Sequence, residues 1–281
     1  MTTGYAGTEI ALLTRHGKQR VIAPALEGAL GCRVRHVSGY DTDLLGTFTR
    51  DVPRLGTQVE AARKKAHLAI ELSGLPLGLG SEGAFVTDPF AALAPWNIEV
   101  IAFVDALRKL EVVGIAQSRG NSRHMLTREW PALEAFAREV GFPAQQLVVR
   151  PCGEDDPRIR KGIHAWPELR AAMAWALAEA ENCLVFVETD GRAHANPLRM
   201  ENISHAAADL AARLLSRCPD CGAPGYWPVE HCPGRPCVDC GAPTRQTRAD
   251  IYGCVKCRYR ETRYRDVAPY ADPEHCDRCN P

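Results

Sequence analysis

Thr8-Glu9-Ile10-Ala11-Leu12-Leu13-Thr14-Arg15-His16-Gly17-Lys18 joins a short apolar run to a polar loop at the start of the chain. The run up to Leu13 has the length of a buried strand, Thr14 to Lys18 is a polar loop, and Val21 to Leu30 carries apolar residues at helical spacing. Strand, loop and helix in that order open an α/β domain. The alternation continues with a strand at Cys32 to Val37 and a helix at Val59 to Leu72. That helix has Val59, Ala62, Ala66, Ala69 and Ile70 on one face and Glu60, Arg63, Lys64 and His67 on the other. Gly74 supplies its stop.

Strands are expected at Leu77 to Gly80, Ile98 to Val104 and Leu110 to Ala116, where apolar and β-branched residues dominate. A helix over Pro131 to Val140 precedes a strand at Gln146 to Val149. The Pro/Gly/Asp-rich stretch Pro151 to Pro157 reads as a linker. Beyond it come a helix at Trp166 to Ala180, a strand at Leu184 to Val187 and a helix at Ile203 to Leu215. The expected fold is a mixed sheet flanked by helices over residues 1–215.

The remaining residues, 216–281, carry a different signature. Cys218-Cys221, Cys237-Cys240, Cys254-Cys257 and Cys276-Cys279 are four Cys-x-x-Cys knuckles separated by 15, 13 and 18 residues. Each knuckle offers two thiolates from one tight turn, and two knuckles complete a tetrahedral structural site. Two Zn²⁺ ions and a double zinc-ribbon module are therefore expected. Sequential pairing, first knuckle with second and third with fourth, closes the shorter loops and is preferred on entropy; interleaved pairing, first with third and second with fourth, is the alternative. Gly222 and Gly241 follow the second cysteine of their knuckles, where positive φ lets amides turn toward sulfur. Cys232 and His231 are spare, and Cys32, Cys152 and Cys183 read as inert core residues.

Composition excludes little and locates less. The chain has 281 residues, 46% of them hydrophobic, with 34 basic and 34 acidic side chains, so no global field steers an anionic partner. From Arg213 onward there are 11 Lys/Arg and 9 Asp/Glu, but eight thiolates with two Zn²⁺ add a net charge of −4. The exception is Arg258-Tyr259-Arg260-Glu261-Thr262-Arg263-Tyr264-Arg265, a basic strip with interleaved aromatics suited to nucleic acid or, equally, to a solvated hairpin face. No run approaches the roughly 20 apolar residues of a membrane span, and no signal peptide is legible. A cytoplasmic location without a membrane partner is expected.

Three segments carry candidate chemistry in the front domain. Thr14, Arg15, His16 and Lys18 stand between a strand and a helix N-terminus, a natural phosphate site. Glu60 and Lys64 lie one turn apart on a helix, and Ser81-Glu82-Gly83 follows a strand; carboxylates so placed can hold Mg²⁺ against phosphates, while an exposed ion pair and a turn are the plainer readings. Glu188-Thr189-Asp190-Gly191-Arg192-Ala193-His194-Ala195-Asn196-Pro197 crowds Glu188, Asp190, Arg192 and His194 after a buried strand, where unpaired burial would cost several kcal/mol. Glu60, Glu82, Glu188, Asp190 and His194 are the candidate catalytic groups.

On these residues the sequence resembles two families. Over its whole length it is similar to an uncharacterised bacterial family with a zinc-ribbon tail, through Thr14 to Lys18, Gly46-Thr47-Phe48-Thr49-Arg50, Ser81-Glu82-Gly83, Glu188 to His194 and the knuckles. That resemblance implies no activity. Gly56-Thr57-Gln58-Val59-Glu60-Ala61-Ala62-Arg63-Lys64-Lys65-Ala66, Ser73-Gly74-Leu75-Pro76 and Gly80-Ser81-Glu82-Gly83 resemble the inosine triphosphate pyrophosphatase-like enzymes. Thr14, Lys18, Glu60, Lys64 and Glu82 fall at matching places, and Asn202-Ile203-Ser204-His205 is similar to their substrate-binding Ser-His. The resemblance implies a nucleoside triphosphate pyrophosphatase-like fold and Mg²⁺-assisted attack of water on a nucleoside triphosphate. A nucleotide or other phosphorylated small molecule is then the ligand. A non-enzymatic protein that docks nucleic acid or protein through its ribbons is the alternative, and a homodimer stays open.

Overall fold

A computed structural model describes residues 4–41, 56–88, 95–181 and 183–281; the Gly46 to Arg50 motif lies outside them. The chain divides into two compact units, residues 1–107 with 113–211 and residues 108–112 with 212–281. No helix among the described residues is long and apolar enough to cross a membrane.

The opening stretch folds as read. Strand β1 is Glu9–Leu13, helix α1 is Gln19–Leu30 and strand β2 is Arg33–Val37. Gly31 ends α1 in the left-handed conformation at φ 68°, which costs a residue without Cβ nothing. Helix α2, Gln58–Ser73, is closed by Gly74 as expected. Strands β3 (Leu77–Thr87), β4 (Pro95–Asp105) and β5 (Leu110–Arg119) follow. Together they form one five-stranded sheet in the order β2-β1-β3-β4-β5. β1 runs parallel to both β2 and β3, whereas β3 and β4 are antiparallel, so the sheet is mixed.

A second, four-stranded sheet was not expected. Its order is β6-β9-β7-β8, with β6 His124–Thr127, β7 Leu147–Pro151, β8 Arg160–Ile163 and β9 Val185–Thr189, and all three pairings are antiparallel. Helices α3 (Trp130–Glu139) and α4 (Trp166–Glu179) bury Leu133, Phe136, Leu169 and Met173 in one core with Leu147, Val149, Val185 and Val187. β6 and β8 escaped the sequence reading because each has four residues and a largely polar, exposed outer face. The expected linker at Pro151 to Pro157 is no boundary: it lies inside the first unit, where Asp156 binds Arg158 and accepts from its backbone. Cys32 is buried, with its thiol pushed up to about 11 chiefly by desolvation, but Cys152 is half-buried and Cys183 exposed, both at positive φ, so neither is a core residue.

Two glycines set how closely α2 lies on the first sheet. A Cβ on Gly78 or Gly80 would lie 2.2 or 2.1 Å from the Ala66 or Ala62 carbonyl oxygen, far inside van der Waals contact, so the backbone of α2 at Ala62 and Ala66 rests directly on the strand. Gly78-Leu79-Gly80-Ser81-Glu82-Gly83 has the spacing of a dinucleotide fingerprint, but that motif needs a strand-turn-helix context. Here all six residues lie within β3.

Replacing Gly80 by Ala is expected to destabilise the protein by about 3 kcal/mol through overpacking against backbone. Urea unfolding followed by the front unit's tryptophan fluorescence measures it; an unchanged midpoint would refute the close-packing account.

Candidate functional sites: a buried charge cluster and two four-cysteine centres

β3 outruns β1. Leu13, the last residue of β1, pairs with Gly80, so Ser81-Glu82-Gly83 continues beyond the end of β1 rather than following a strand of its own. Lys18, at the N-cap of α1, is 6% exposed and donates through Nζ to the Ser81 Oγ at 3.2 Å and the Ser81 carbonyl at 3.3 Å. Thr14 is buried beside it in the chain, with its carbonyl 2.7 Å from His36 Nε2.

Around Lys18 lies a buried set of charges. Glu82 Oε2 accepts from Lys65 Nζ at 2.5 Å. Glu99, on β4, takes a forked contact from Arg199, at 2.6 Å from Nε and 3.0 Å from Nη2, with both side chains essentially inaccessible. Asn97 donates to Glu99 at 3.1 Å and accepts from Asn202 at 2.8 Å, and Gly83 has no Cβ because Arg199 and the Glu99 carboxylate occupy that space. Burial pushes the Lys18 ammonium down to about 8; Glu99 and Glu82 oppose that shift, while Arg199 and Lys65 add to it. Counted with ordinary charges among the described residues, the cations Lys18, Lys65 and Arg199 face the carboxylates Glu82 and Glu99.

Two expected members are absent from this cluster. Glu60 is exposed: it sits at the third position of α2 and closes a capping box, accepting from the Thr57 amide at 2.7 Å while Thr57 Oγ1 accepts from the Glu60 amide at 3.2 Å. Thr57-Gln58-Val59-Glu60 carries that signature openly. Lys64 is also exposed, and the lysine of α2 that turns inward is its neighbour Lys65. Glu99, Arg199, Asn97 and Asn202 were missed, although polar residues at i, i+2 in an apolar strand and at i, i+3 on a helix were legible signals. His205 is exposed.

The segment after β9 divides in three. Glu188 belongs to the strand and lies 3.7 Å from Arg150. Asp190 is fully buried and accepts from the Gly162 amide and, at 2.6 Å, from Arg192, which makes both structural members of the turn. His194 instead stacks on His16, with ring centroids 5.0 Å apart and an interplanar angle of 19°. These two imidazoles share an open cleft of about 550 Å³ with Arg15, Gly17, Gln19, Arg20, Pro197 and Met200. Arg15 pairs with Asp41 at 2.5 Å. Helix α5, Pro197–Leu215, begins there, six residues ahead of its expected start.

In the second unit, β10 (Trp227–Pro233), β11 (Thr247–Gly253) and β12 (Arg260–Tyr264) form an antiparallel meander. The cysteines gather as Cys218, Cys221, Cys254, Cys257 and as Cys237, Cys240, Cys276, Cys279. The preferred sequential pairing is thus overturned, and the interleaved one forms. An up-down-up meander alternates its ends: knuckles before β10 and between β11 and β12 share one end, those between β10 and β11 and after β12 the other. The seven residues of β10 carry the first two knuckles about 20 Å apart and the five of β12 the last two about 13 Å apart, a constraint that loop entropy cannot override.

Cross-knuckle sulfur separations are 3.7 Å (Cys218 to Cys257), 3.6 Å (Cys221 to Cys254), 3.8 Å (Cys237 to Cys279) and 3.6 Å (Cys240 to Cys276). A tetrahedron with Zn–S bonds of about 2.3 Å has edges of about 3.8 Å, whereas a disulfide needs about 2.05 Å. Both groups fit zinc. Gly222 and Gly241 adopt φ 69° and 71°, as expected, and return their amides to the Cys218 and Cys237 carbonyls. The amides of Lys256 and Cys257 point at Cys254 Sγ, at 3.3 and 3.4 Å. On the basic strip, Arg260, Arg263 and Arg265 are paired with Glu230, Glu261 and Asp250, so these cations are engaged within the sheet.

Residues 65–281 match the family described as a domain of unknown function, DUF6671, and the chain belongs to that family. The match spans Glu82, Glu99, Arg199, His194 and all eight knuckle cysteines but begins after the Thr14 to Lys18 loop. No curated protein and no solved structure matches the chain.

Cys254→Ser is expected to leave one zinc per chain and to make Cys218, Cys221 and Cys257 reactive toward alkylation while Cys276 and Cys279 stay protected. Sequential pairing would expose Cys276 and Cys279 instead, which peptide mapping reads directly. Arg199→Met, which strands the buried Glu99 carboxylate, is expected to cost about 4 kcal/mol in equilibrium unfolding; a loss under about 1 kcal/mol would show that the pair is dispensable.

Proposed function

We propose that the protein handles nucleotides, with residues 1–215 holding the phosphates and residues 216–281 a module stabilised by two structural zinc ions. One topological observation carries the reading. β1 pairs in parallel with β2 on one side and β3 on the other, and the chain reaches them through α1 and then α2. The end of β1 is therefore a switch point, where open α/β sheets bind ligands, and Thr14 to Lys18 is the loop that leaves it.

Electrostatics supports an anion there. Lys18, whose charged form burial destabilises, gains from a phosphate oxygen, an attraction that a low-dielectric surrounding makes strong. Mg²⁺ fits this cluster poorly, since Glu82 and Glu99 are already held by Lys65 and Arg199. The resemblance to inosine triphosphate pyrophosphatase-like enzymes makes hydrolysis of a nucleoside triphosphate to monophosphate and pyrophosphate the activity to assay first, with Lys18 neutralising phosphate charge.

A phosphate beside Lys18 favours its charged form and returns its pKa from about 8 toward its ordinary 10.5. At pH 8.5 the unliganded site is largely deprotonated, so binding takes up a proton. Calorimetry of nucleoside triphosphates in buffers of different ionisation enthalpy is expected to show that uptake in the wild type and not in Lys18→Met. Nucleotide binding with no proton uptake would remove Lys18 from the site; no binding across a nucleotide panel would sink the reading itself.

A further inference from the structure

Alternation along β3 sorts the buried charges by face, because successive strand residues point to opposite sides of a sheet. A Cβ on Gly78 or Gly80 would meet α2, and Glu82 reaches Lys65 on that helix, so these three positions face α2. A Cβ on Gly83 would meet Arg199 and Glu99, so Ser81 and Gly83 face the other way, toward Lys18 and the Arg199–Glu99 fork. Arg199 has Glu99 as its carboxylate. Among the described residues Lys18 has none in hydrogen-bond contact, and both bonds of its amine go to Ser81, one to the hydroxyl and one to the carbonyl.

Those two oxygens differ in kind. A carbonyl only accepts, whereas a serine hydroxyl accepts or donates as its proton rotates. With Lys18 charged, its three N–H groups serve the Ser81 carbonyl, the Ser81 hydroxyl and one further oxygen. With Lys18 neutral, the carbonyl bond persists and the hydroxyl turns to donate to the nitrogen lone pair. Ser81 therefore strands no buried polar group in either state. Glu99 on β4 and Glu82 on β3 favour the charged amine, Arg199 on α5 and Lys65 on α2 the neutral one, and burial tips the balance toward the neutral one. The hydroxyl is uncharged, so removing it alters hydrogen bonding and leaves that set of charges as it was.

We propose that Ser81 is the positioning residue of the anion site: its hydroxyl holds the Lys18 amine in both protonation states and leaves one N–H for a single phosphate oxygen. This rests on the nucleotide-handling reading, and it makes the strength of that contact depend on proton uptake by Lys18.

The test uses the full-length, zinc-loaded protein carrying ε-¹³C-lysine, with the Lys18 resonance assigned by its loss in Lys18→Met. That resonance is expected to titrate at about pH 8 in the wild type. In Ser81→Ala the ammonium loses an acceptor, and the midpoint is expected to fall by about one pH unit at an unchanged Tm. Nucleoside triphosphates are then expected to bind Ser81→Ala about tenfold more weakly than wild type at pH 8.5, where the variant is the more deprotonated, and nearly equally at pH 6, where Lys18 is charged in both. A Lys18 midpoint that stays in place, or an affinity loss of one size at both pH values, would overturn the positioning role. Nucleotide binding that Lys18→Met weakens and Ser81→Ala leaves alone at both pH values would sink this inference and keep the reading above. A midpoint that moves in Ser81→Ala while no nucleotide binds would sink that reading and keep Ser81 as the group that holds Lys18.

Discussion

Taking the Arg199 guanidinium and the Glu99 carboxylate out of water is the most demanding step in this fold, since each ion costs several kcal/mol to desolvate. The surroundings are built to meet that cost. Gly83 vacates space for the fork, Asn97 donates to the carboxylate and accepts from Asn202, and the Gly191 carbonyl takes another guanidinium proton. Because Arg199 belongs to the first turns of α5 and Glu99 to β4, the pair fixes where that helix begins. His194 and the cleft beside it are held in turn, so the candidate ligand sites depend on an interaction that never touches solvent.

The regular part of the front unit was legible because its periodicity is strong. β1, α1, β2 and α2 each carry enough apolar spacing, and Gly31 and Gly74 enough stop chemistry, to declare themselves. Glu60 shows the opposite failure: two roles compete for one residue type, and the four-residue capping box Thr57 to Glu60 outranks a distant ligand. Lys64 and Lys65 differ by one position and about 100° of helix, which an alanine-rich face barely specifies. Glu99 and Arg199 could not be paired from sequence at all, since nothing in a single chain reports a contact 100 residues apart.

The cysteines were legible in chemistry and misleading in connectivity. Loop closure favours neighbours by a logarithm of length, about 0.6 kcal/mol at each centre because interleaving roughly doubles the closed loop. A hydrogen-bonded strand is a rigid rod by comparison. Once Trp227–Pro233, Thr247–Gly253 and Arg260–Tyr264 pair side by side, the turns are carried to opposite ends and the metal sets follow.

That interleaving also orders events in time. While the chain is being synthesised, the first metal centre stays incomplete until Cys257 has emerged, by which point Cys237 and Cys240 are already out and their partners Cys276 and Cys279 are not. A ribbon pair closed in sequence would seal each centre before the next began. Here the nascent module carries up to six open knuckle thiols at once, with Cys232 beside them, so the supply of metal and the reducing power of its surroundings bear on whether it matures or is trapped in a wrong disulfide.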